Sequence, residues 1–508
     1  MVNFLQREIF GGEEMKGVLA FDLGASSGRA VLTTLENQKM VIKEVNRFSN
    51  YAIDSNGSLR WDFEFIMDEI YKSIKKAEQL GDFDSLAIDT WGVDFGLLDK
   101  NGELIENPYH YRDKRTNGSF SKIKEIIDPL SLYQKTGIQN MEINTLFQLY
   151  TLKNQKPEIY DRAEHLLMMP DLINYYLTGS IKTERTIAST TQLYNPTKQN
   201  WDYGLIEKLG FKTSMFPEII DPGNVVGRLK DSIVEKLGVS NKKVIAIGSH
   251  DTASAIVCTP FNNKETLFLS SGTWSLIGTQ LNEPNISENT YYNNLSNETG
   301  VDNKITLLKN ITGLWLIQEA KKQFEREGKN YTFDDISQMA KNAKSVECYF
   351  DTDLAELTVP GDIPKRIRLL AKKTNQDIPL SDGEIVRVIY ENLALKYRTA
   401  YEELCDSVGK YFKDIYIVGG GANADFLSQC TANSLNLNVI SGFTEATALG
   451  NSLVQMLAMN VIESLDNGKA ILANSFETKT FSPEDNENWE TKYYNYKQTL
   501  SGGVKIGK

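Results

Sequence analysis

The apolar run Gly17-Val18-Leu19-Ala20-Phe21 leads into Asp22-Leu23-Gly24-Ala25-Ser26-Ser27-Gly28-Arg29, and Ala30-Val31-Leu32 is apolar again. This pattern predicts a strand, a turn of small residues and a second strand. The pattern returns in the middle of the chain, where the apolar stretch from Glu265 to Gly278 is interrupted by Ser270-Ser271-Gly272-Thr273. The recurrence predicts two similar halves that open with the same unit.

The two turns have the composition of an anion-binding site. Glycines let the backbone approach phosphate oxygens, and the hydroxyls of Ser26, Ser27 and Thr273 add hydrogen-bond donors. A single turn of this kind fits an ordinary β-hairpin better, so the recurrence carries the interpretation. Asp22, at the end of the first strand, is then a candidate to hold Mg²⁺ through water, because that ion gives up its hydration reluctantly.

A candidate catalytic carboxylate follows the predicted strand Lys243 to Ile247, within Ser249-His250-Asp251-Thr252-Ala253. Asp251 stands where a helix should begin, so it fits both a helix cap and a proton acceptor. A carboxylate beside a phosphate-binding turn is the minimum equipment of a kinase that acts on small molecules. His250 fits a core histidine, a sugar-hydroxyl partner or a group that tunes Asp251, and we favour the sugar contact.

Two further strand ends carry candidate ligand groups. Asp89-Thr90-Trp91-Gly92 follows a short buried strand, and ligands gather at such positions in α/β sheets. Gly419-Gly420-Gly421 follows another strand, where flat backbone would admit an adenine ring, although glycine-rich turns are common. Tryptophans fit the core by default, and Trp91 is the exception that we favour. The chain has neither a P-loop motif nor a dinucleotide-binding fingerprint.

Size and composition narrow the possible function classes. A chain of 508 residues predicts two large domains with a cleft between them. The net charge of −12 argues against nucleic acid or an anionic membrane as a partner. Four widely spaced cysteines fit buried thiols in a reducing compartment, with no disulfide and no zinc site. Because no apolar run reaches membrane-spanning length, we expect a cytoplasmic protein.

Segments outside these motifs carry structural predictions. Apolar periodicity predicts a long helix from Asp382 to Val408, and Asn144 is a candidate helix cap. The Asn-rich stretch from Asn282 to Lys304 looks too polar to bury and is a candidate mobile lid. The polar chain beyond about Phe476 is expected to fray. The expected divisions are a flexible extension over 1–16, a first domain over 17–259, a second domain over 260–460 and a polar segment over 461–508.

The motifs form an ordered set that covers nearly the whole chain from Gly17 to about Met459. The set is Asp22 to Arg29, Asp89 to Phe95, Tyr111 to Asp113, Ser249 to Ser254, Leu269 to Leu276, Lys309 to Ile311, Gly313 to Leu316, Ile417 to Gly421 and Glu445 to Thr447. Together these motifs resemble the FGGY carbohydrate kinases, whose fold is similar to those of actin, hexokinase and the Hsp70 ATPase. The resemblance implies an α/β fold of two ribonuclease-H-like domains, with the sugar site and catalytic base in the first, the nucleotide site in the second, and a cleft between them.

The resemblance also implies an activity, since the motifs look like those of family members that act in L-rhamnose breakdown. It implies phosphorylation of L-rhamnulose at the 1-hydroxyl by ATP with Mg²⁺, giving L-rhamnulose 1-phosphate and ADP, in a monomer or small homo-oligomer. Asp251 would accept the proton. The implied sugar contacts are Gly92, His250, Asp251, Thr252 and Asn310. The implied ATP contacts are Ala25, Ser26, Ser27, Gly28, Arg29, Thr273, Gln318 and Gly420.

Other functions remain open at this point. Another FGGY ketose kinase, for L-fuculose or xylulose, would share these motifs, because sugar choice rests on a few hydroxyl contacts. An actin-like or Hsp70-like ATPase would share the nucleotide fold but would leave Asp89 to Gly92 and Asn310 without a role. A pure sugar-binding module is disfavoured, because it would not need paired phosphate turns.

Overall fold

Two mixed β-sheets, one in each half of the chain, form the frame of the molecule. The computed structural model describes residues 17–261 and 265–502. The predicted extension over 1–16 lies outside the described residues. Helices pack against both sheets and bury their apolar faces, so each half is an α/β domain.

The first half contains the strands that carry the first predicted turn. They are β1 (Val18–Leu23), β2 (Ser27–Glu36), β3 (Lys39–Ser49), β4 (Ala52–Ser55), β5 (Ser58–Trp61), β6 (Ser85–Thr90), β7 (Phe95–Leu98), β8 (His165–Met168), β9 (Thr183–Glu184), β10 (Tyr194–Asn195), β11 (Asn200–Trp201), β12 (Ile219–Ile220), β13 (Val225–Arg228) and β14 (Lys243–Ile245). The main sheet has the order β13-β14-β6-β1-β2-β3. Strands β3, β2 and β1 are antiparallel neighbours, whereas β1, β6 and β14 run parallel.

The second half repeats this topology. Its strands are β15 (Thr266–Ser271), β16 (Trp274–Leu281), β17 (Ser296–Thr299), β18 (Ile305–Thr312), β19 (Asp414–Val418), β20 (Asn438–Ser441) and β21 (Lys479–Phe481). They form one sheet in the order β17-β18-β16-β15-β19-β20-β21. Strands β18, β16 and β15 are antiparallel neighbours, and β15, β19 and β20 run parallel. The recurring strand–turn–strand unit therefore opens two equivalent sheets, as the sequence predicted.

Helices connect the strands and cover the sheets. In the first half they are α1 (Phe63–Leu80), α2 (Ser119–Ile123), α3 (Pro129–Thr136), α4 (Thr145–Gln155), α5 (Pro157–Arg162), α6 (Met169–Thr178), α7 (Arg185–Ser189), α8 (Tyr203–Lys208), α9 (Asp231–Leu237) and α10 (Asp251–Val257). In the second half they are α11 (Glu288–Tyr292), α12 (Trp315–Arg326), α13 (Phe333–Asn342), α14 (Ile363–Lys373), α15 (Asp382–Val408), α16 (Asp425–Leu435), α17 (Ala446–Ala458), α18 (Leu465–Ser475) and α19 (Asn486–Gly502). None of the helices in the described ranges is both long and apolar enough to cross a membrane.

Two helices join the halves across the cleft. Helix α10 packs on α17, and α17 also lies against β1, β2 and β6 of the first sheet. The side chain of Gln455 bonds to Ser85 and to the carbonyl of Leu19, and Ser452 bonds to Thr33. A parallel bridge between Thr90 and His250 places the start of α10 at the carboxyl end of β6.

The long helix is confirmed, because α15 spans Asp382–Val408. It begins with a capping box between Ser381 and Glu384, and Gly409 ends it in the left-handed conformation. Asn144 takes the N-cap position of α4, as predicted, but its side chain makes no capping hydrogen bond. Its amide donates to Gln192 and to the carbonyl of Gln139.

The prediction that the chain frays beyond Phe476 is wrong for the residues described there. Strand β21 pairs with β20, and α19 buries Trp489, Tyr493 and Tyr496. A low average hydropathy concealed these aromatic residues, which lie on one side of a largely polar helix. The segment therefore packs as part of the second domain.

The prediction that the stretch from Asn282 to Lys304 is too polar to bury is also wrong. The stretch contains α11 and β17, and Asn297 is fully buried. The asparagines of this segment satisfy one another and the backbone: for example, the Asn297 amide donates to the carbonyl of Asn285 at 2.9 Å. Polar side chains can be buried at modest free-energy cost when each has a hydrogen-bond partner.

Candidate active site

A cavity of about 510 Å³ lies between the two sheets, at the ends of β1, β6, β15 and β19. Strand ends of this kind are the usual ligand site in α/β folds. Most of the residues that the sequence singled out line this cavity. They are Asp22, Ala25, Ser26, Ser27, Arg29, Gly92, His250, Asp251, Thr252, Thr273, Asn310 and Gly420.

Two of the expected ATP contacts lie outside the lining. A Cβ atom at Gly28 would overlap the ring of Phe48, so this glycine is required by packing between strands. Gln318 stands behind Thr273 and accepts a hydrogen bond from its hydroxyl at 3.2 Å. Gln318 therefore orients Thr273 without lining the cavity itself. Gly28 lets β2 pack closely against Phe48 of β3.

Both small-residue turns line the cavity. In the first, the Gly24 N–H donates to the carbonyl of Ser27 at 2.9 Å, and the Asn50 amide fixes the Gly24 carbonyl. In the second, the Gly272 N–H donates to the carbonyl of Trp274 at 2.9 Å. Because these hydrogen bonds fix the turns, the remaining hydroxyl and N–H groups are free to donate to a ligand. Such a set of donors suits phosphate oxygens.

Arg29 is held between carboxylates of both halves. Its Nε lies 2.8 Å from Asp22, which faces it across β1 and β2, and its other side pairs with Glu445 at the start of α17. The guanidinium thus neutralises much of the charge of Asp22. It also ties the first small-residue turn to the helix that joins the domains.

Asp89 lies next to Asp22 on the neighbouring strand and is fully buried. One of its oxygens accepts from the Asn451 amide at 2.7 Å, and the other has no partner in the described part of the chain. Burial, followed by the charge of Asp22, raises the pKa of Asp89 well above its usual range. This environment favours the protonated carboxyl, which can approach a second acid without repulsion.

Asp251 is the first residue of α10, whose N-cap position is taken by His250. It is therefore not the helix cap that the sequence allowed. Its side chain is 31% exposed and faces the cavity, and one carboxylate oxygen accepts from the Thr252 N–H at 2.6 Å. Lost hydration raises the pKa of Asp251, although the charge of His250 opposes the rise. A carboxylate with raised basicity that faces a cavity suits a proton acceptor.

His250 lies between two carboxylates. Its Nε2 is 3.3 Å from an oxygen of Asp251, and its Nδ1 is 3.1 Å from an oxygen of Glu298. Burial alone would lower the pKa of this imidazole. The charge and hydrogen bond of Glu298, together with the charge of Asp251, outweigh that effect and raise the pKa to about 9. His250 is therefore a cation at neutral pH.

Trp91 and Tyr111 form an aromatic wall of the cavity. Trp91 was predicted to be the exception among core tryptophans, but it is also buried in the core of the first domain. Asp94 organises the wall by accepting from the indole N–H groups of Trp61 at 2.6 Å and Trp91 at 2.9 Å, and from the Tyr111 N–H at 3.1 Å. Burial raises the pKa of Asp94 to about 6.

The backbone of Val93, between Gly92 and Asp94, is strained. Val93 has φ of 68°, a left-handed conformation that a β-branched residue rarely adopts. Thr190 and Thr145 hold it, by accepting from its N–H and donating to its carbonyl. Such strain is kept where the surrounding structure fixes it, and it often marks a ligand site.

Two cavity carboxylates had no role expected from the sequence. Glu445 lies in one of the motifs but had no expected ligand, and Glu298 belongs to no motif with a chemical signature. Glu298 lies in the stretch predicted to be a lid, and only the pairing of β17 with β18 places it opposite His250. Contacts between residues this far apart in the chain carry no local sequence signal.

Metal binding by side chains alone finds little support. Across 17–261 and 265–502, no group of three or more histidines, cysteines, aspartates and glutamates is placed to hold a metal ion. Asp22 lines the cavity beside the first small-residue turn, with Arg29 on one side. One cavity carboxylate suits an ion that is held mainly by water and phosphate oxygens.

Family models match both halves. The N-terminal domain of the FGGY family of carbohydrate kinases matches residues 17–258, and the C-terminal domain of that family matches residues 267–459. The chain therefore belongs to the FGGY family of carbohydrate kinases and is a sugar kinase.

Within this family, the chain is similar to several rhamnulokinases. A rhamnulokinase from Oceanobacillus iheyensis is 40% identical over 465 residues, which is 91% of this chain and 98% of that protein. A rhamnulokinase from Ligilactobacillus salivarius is 37% identical over 471 residues, 92% of this chain and 96% of that protein.

Solved structures confirm the two-domain fold. A xylulose kinase from Lactobacillus acidophilus superimposes with a TM-score of 0.78 at 18% identity, covering 96% of this chain and 98% of that one. A glycerol kinase from Plasmodium falciparum, solved with ADP, also gives 0.78, at 16% identity and with the same coverage. At these identities, the comparison concerns the fold alone.

Proposed function

We propose that this chain transfers the γ-phosphoryl group of ATP to the 1-hydroxyl of L-rhamnulose, giving L-rhamnulose 1-phosphate and ADP in L-rhamnose catabolism. The observation that carries the proposal is the similarity to rhamnulokinases at 36–40% identity over more than nine-tenths of the chain. The cavity supports it, because aromatic and polar side chains line it beside the two small-residue turns.

The sugar end is proposed to lie between His250 and the aromatic wall. Gly92 lines this end, and the glycine lets the backbone pack closely on Thr190, since a Cβ atom would lie 3.2 Å from that side chain. The hydroxyl of Thr252 and the amide of Asn310 face the same space and offer hydrogen bonds to sugar hydroxyls. A flat aromatic surface with a few placed polar groups is typical of a site that selects one small polar ligand.

The nucleotide end is proposed to lie at the paired turns. Ala25, Ser26 and Ser27 from one turn and Thr273 from the other would hold the phosphates, and Arg29 offsets the negative charge of Asp22 and Glu445 beside them. Gly420 would contact the adenosine, because no atom lies within 4 Å of a Cβ built there. The Asp22 carboxylate fits a Mg²⁺ ion held through water. When bound with ATP, that ion would neutralise charge on the phosphates.

Asp251 is proposed to take the proton of the sugar 1-hydroxyl. At the same time the oxygen of that hydroxyl bonds to the γ-phosphorus of ATP, and the bond between the γ-phosphorus and the leaving ADP oxygen breaks. Positioning and charge neutralisation do most of the work in phosphoryl transfer, so a carboxylate is a sufficient base. Closure of the cleft around the sugar would exclude water that could otherwise accept the phosphoryl group.

The proposal also covers the location of the protein in the cell, its partners and its domain boundary. A supply of ATP and four buried thiols fit the cytoplasm. The net charge of −12 disfavours nucleic acid and anionic membranes as partners, and a monomer or small homo-oligomer fits a site built within one chain. The domain boundary near residue 260 lies between β14 and β15, where the two sheets separate.

The proposed function is tested by measuring ADP release over a panel of ketoses. With L-rhamnulose, we expect the highest kcat/KM, and ³¹P and ¹³C NMR of the product should place the phosphate on carbon 1. Faster turnover of L-fuculose or xylulose would assign the chain to another sugar within the family. Hydrolysis of ATP at a rate that no sugar changes would contradict a sugar kinase altogether.

A further inference from the structure

A strand of the second domain is bound directly to the first domain at the sugar end of the cavity. The Asn297 N–H of β17 donates to the carbonyl of Gly137 at 2.8 Å, and the Thr299 N–H donates to the Ser189 hydroxyl at 3.0 Å. In return, the Gln139 N–H donates to the Ser296 hydroxyl at 3.1 Å. These bonds cross the cleft on both sides of one residue, Glu298.

The alternation of β17 sends Glu298 into the cavity. Successive side chains of a strand point to opposite faces, and Ser296 and Glu298 both line the cavity, whereas Asn297 is fully buried in the domain contact. Glu298 is only 12% exposed, and its oxygen lies 3.1 Å from His250 Nδ1. The second domain therefore places a fixed carboxylate against a histidine next to the proposed base.

We propose that Glu298 is a positioning residue of the reaction: it holds His250 as an imidazolium, and the imidazolium orients the Asp251 carboxylate toward the sugar hydroxyl. This inference rests on the proposed function, since it names a further residue of the same site. Because Glu298 belongs to the second domain and His250 to the first, the arrangement is complete only while β17 is bound across the cleft.

The charged groups around His250 all favour its protonated form. Asp251 faces it from α10, Glu298 from β17, and Glu184 from the residue before α7. Glu184 also accepts from the Ser249 N–H at 3.1 Å, while the Thr186 hydroxyl accepts from the His250 N–H at 3.2 Å, so the backbone beside the imidazole is held as well. Burial of the ring is the opposing influence.

Loss of the Glu298 charge should therefore release the proton from His250 at lower pH. In Glu298→Gln, which keeps the shape of the side chain, we expect the alkaline limb of kcat/KM for L-rhamnulose to move down from about pH 9 by at least one pH unit. At pH 8.5, a shift of one unit should make the variant about three-fold slower than the parent, a larger shift should slow it further, and most of that loss should disappear at pH 6. Glu298→Asp, which keeps the charge, should retain a higher alkaline limit.

The matched control is Glu283→Gln, an exposed glutamate of the same segment, which should leave the pH profile unchanged. The melting temperature of each variant is recorded first, so that a folding defect is recognised. Coincident alkaline limbs for the parent and folded Glu298→Gln would overturn the proposal, and so would a loss of activity that is equal at pH 6 and pH 8.5.

A readout without catalysis separates this inference from the proposed function. The chain has three histidines, so the ring C–H signal of His250 can be assigned in NMR spectra of the full protein with a His250→Gln variant. We expect this signal to titrate near pH 9 in the parent and at least one unit lower in Glu298→Gln. Unchanged titration overturns the inference whatever the substrate is. Shifted titration with no turnover of L-rhamnulose overturns only the proposed function.

Discussion

Gly420 and Gly421 are adjacent, yet a side chain would meet different surroundings at each. A Cβ atom at Gly420 has no atom within 4 Å and extends toward the cavity, whereas a Cβ atom at Gly421 would overlap the Ser271 hydroxyl. The first glycine leaves room for a ligand, and the second leaves room for the neighbouring strand.

This difference gives a paired prediction. Gly420→Leu should raise the KM for ATP at least ten-fold with little change in melting temperature, because the new side chain occupies space proposed for adenosine. Gly421→Ala should lower the melting temperature, because Ser271 has to move. Steady-state kinetics and thermal unfolding of both variants test the pair. An unchanged KM for ATP in Gly420→Leu would remove Gly420 from the nucleotide site.

Individual residues were predictable where the chemistry is local. Asp251 and the two turns are visible in the sequence because a strand, a small-residue turn and a polar side chain follow one another within a few positions. Glu298 was not predictable, since its role depends on β17 being bound to Gly137 and Ser189 of the other domain. Gln318 and Gly28 were expected to contact ATP, but neither lines the cavity: Gln318 bonds to Thr273, and Gly28 packs against Phe48.

At the scale of elements, the crossing of α10 and α17 holds the cleft together. A Cβ atom at Gly450 of α17 would overlap the carbonyl oxygen of Ser254 in α10, so the helices can approach this closely only at a glycine. We predict that Gly450→Ala destabilises the protein by roughly 2–3 kcal/mol, since overpacking against backbone cannot be relieved by a rotamer change.

The matched control for this change is Gly204→Ala in α8. Gly204 is exposed, and a Cβ atom there would have ordinary contacts. This substitution should be neutral or slightly stabilising, because alanine is the better helix former. Denaturant unfolding of both variants measures the difference, and equal midpoints would show that the two helices separate at little cost.

Helices with a continuous apolar face were predictable from the sequence. A helix with only a few large apolar residues in a polar segment was not. Helix α15 has apolar residues along one face over its whole length, and its predicted bounds agree with the structure. Helix α19 has few apolar residues, but Trp489, Tyr493 and Tyr496 are enough to pack it on the second domain. Three large aromatic side chains bury as much surface as a longer aliphatic stripe.

At the scale of the whole molecule, the buried ionisable groups make stability depend on pH. His250 has its pKa raised to about 9 by its two carboxylates, and Glu184 has its pKa raised to about 7 by burial. Both groups bind a proton more tightly in the folded protein than in the unfolded chain. Their contributions to stability are therefore present at low pH and are lost as pH rises through each folded pKa.

We predict that the melting temperature falls between pH 6.5 and pH 9, and that His250 accounts for about 3 kcal/mol of the loss in unfolding free energy. Calorimetry at these two pH values checks the direction. Glu298→Gln should flatten the dependence, because His250 then has less to lose. A melting temperature that is constant or rises over this range would contradict the pH account.

The division into two similar domains was predictable from length and from the recurring turn, because a core stops growing at this chain length and a repeated unit implies repeated folding. The joining of the domains was not. It depends on pairs such as Asn451 with Asp89 and Ser452 with Thr33, which lie hundreds of residues apart in the chain.

The central claim is that one carboxylate between two domains takes the proton of a sugar hydroxyl. Its most direct test is the kcat of Asp251→Asn with L-rhamnulose, measured beside the affinity for ATP, with the exposed Asp231→Asn as control. We predict a kcat lower by roughly 10²–10⁴-fold, an ATP dissociation constant within two-fold of the parent, and a control that behaves like the parent. A folded Asp251→Asn enzyme that keeps more than about a tenth of the parental kcat would contradict the claim.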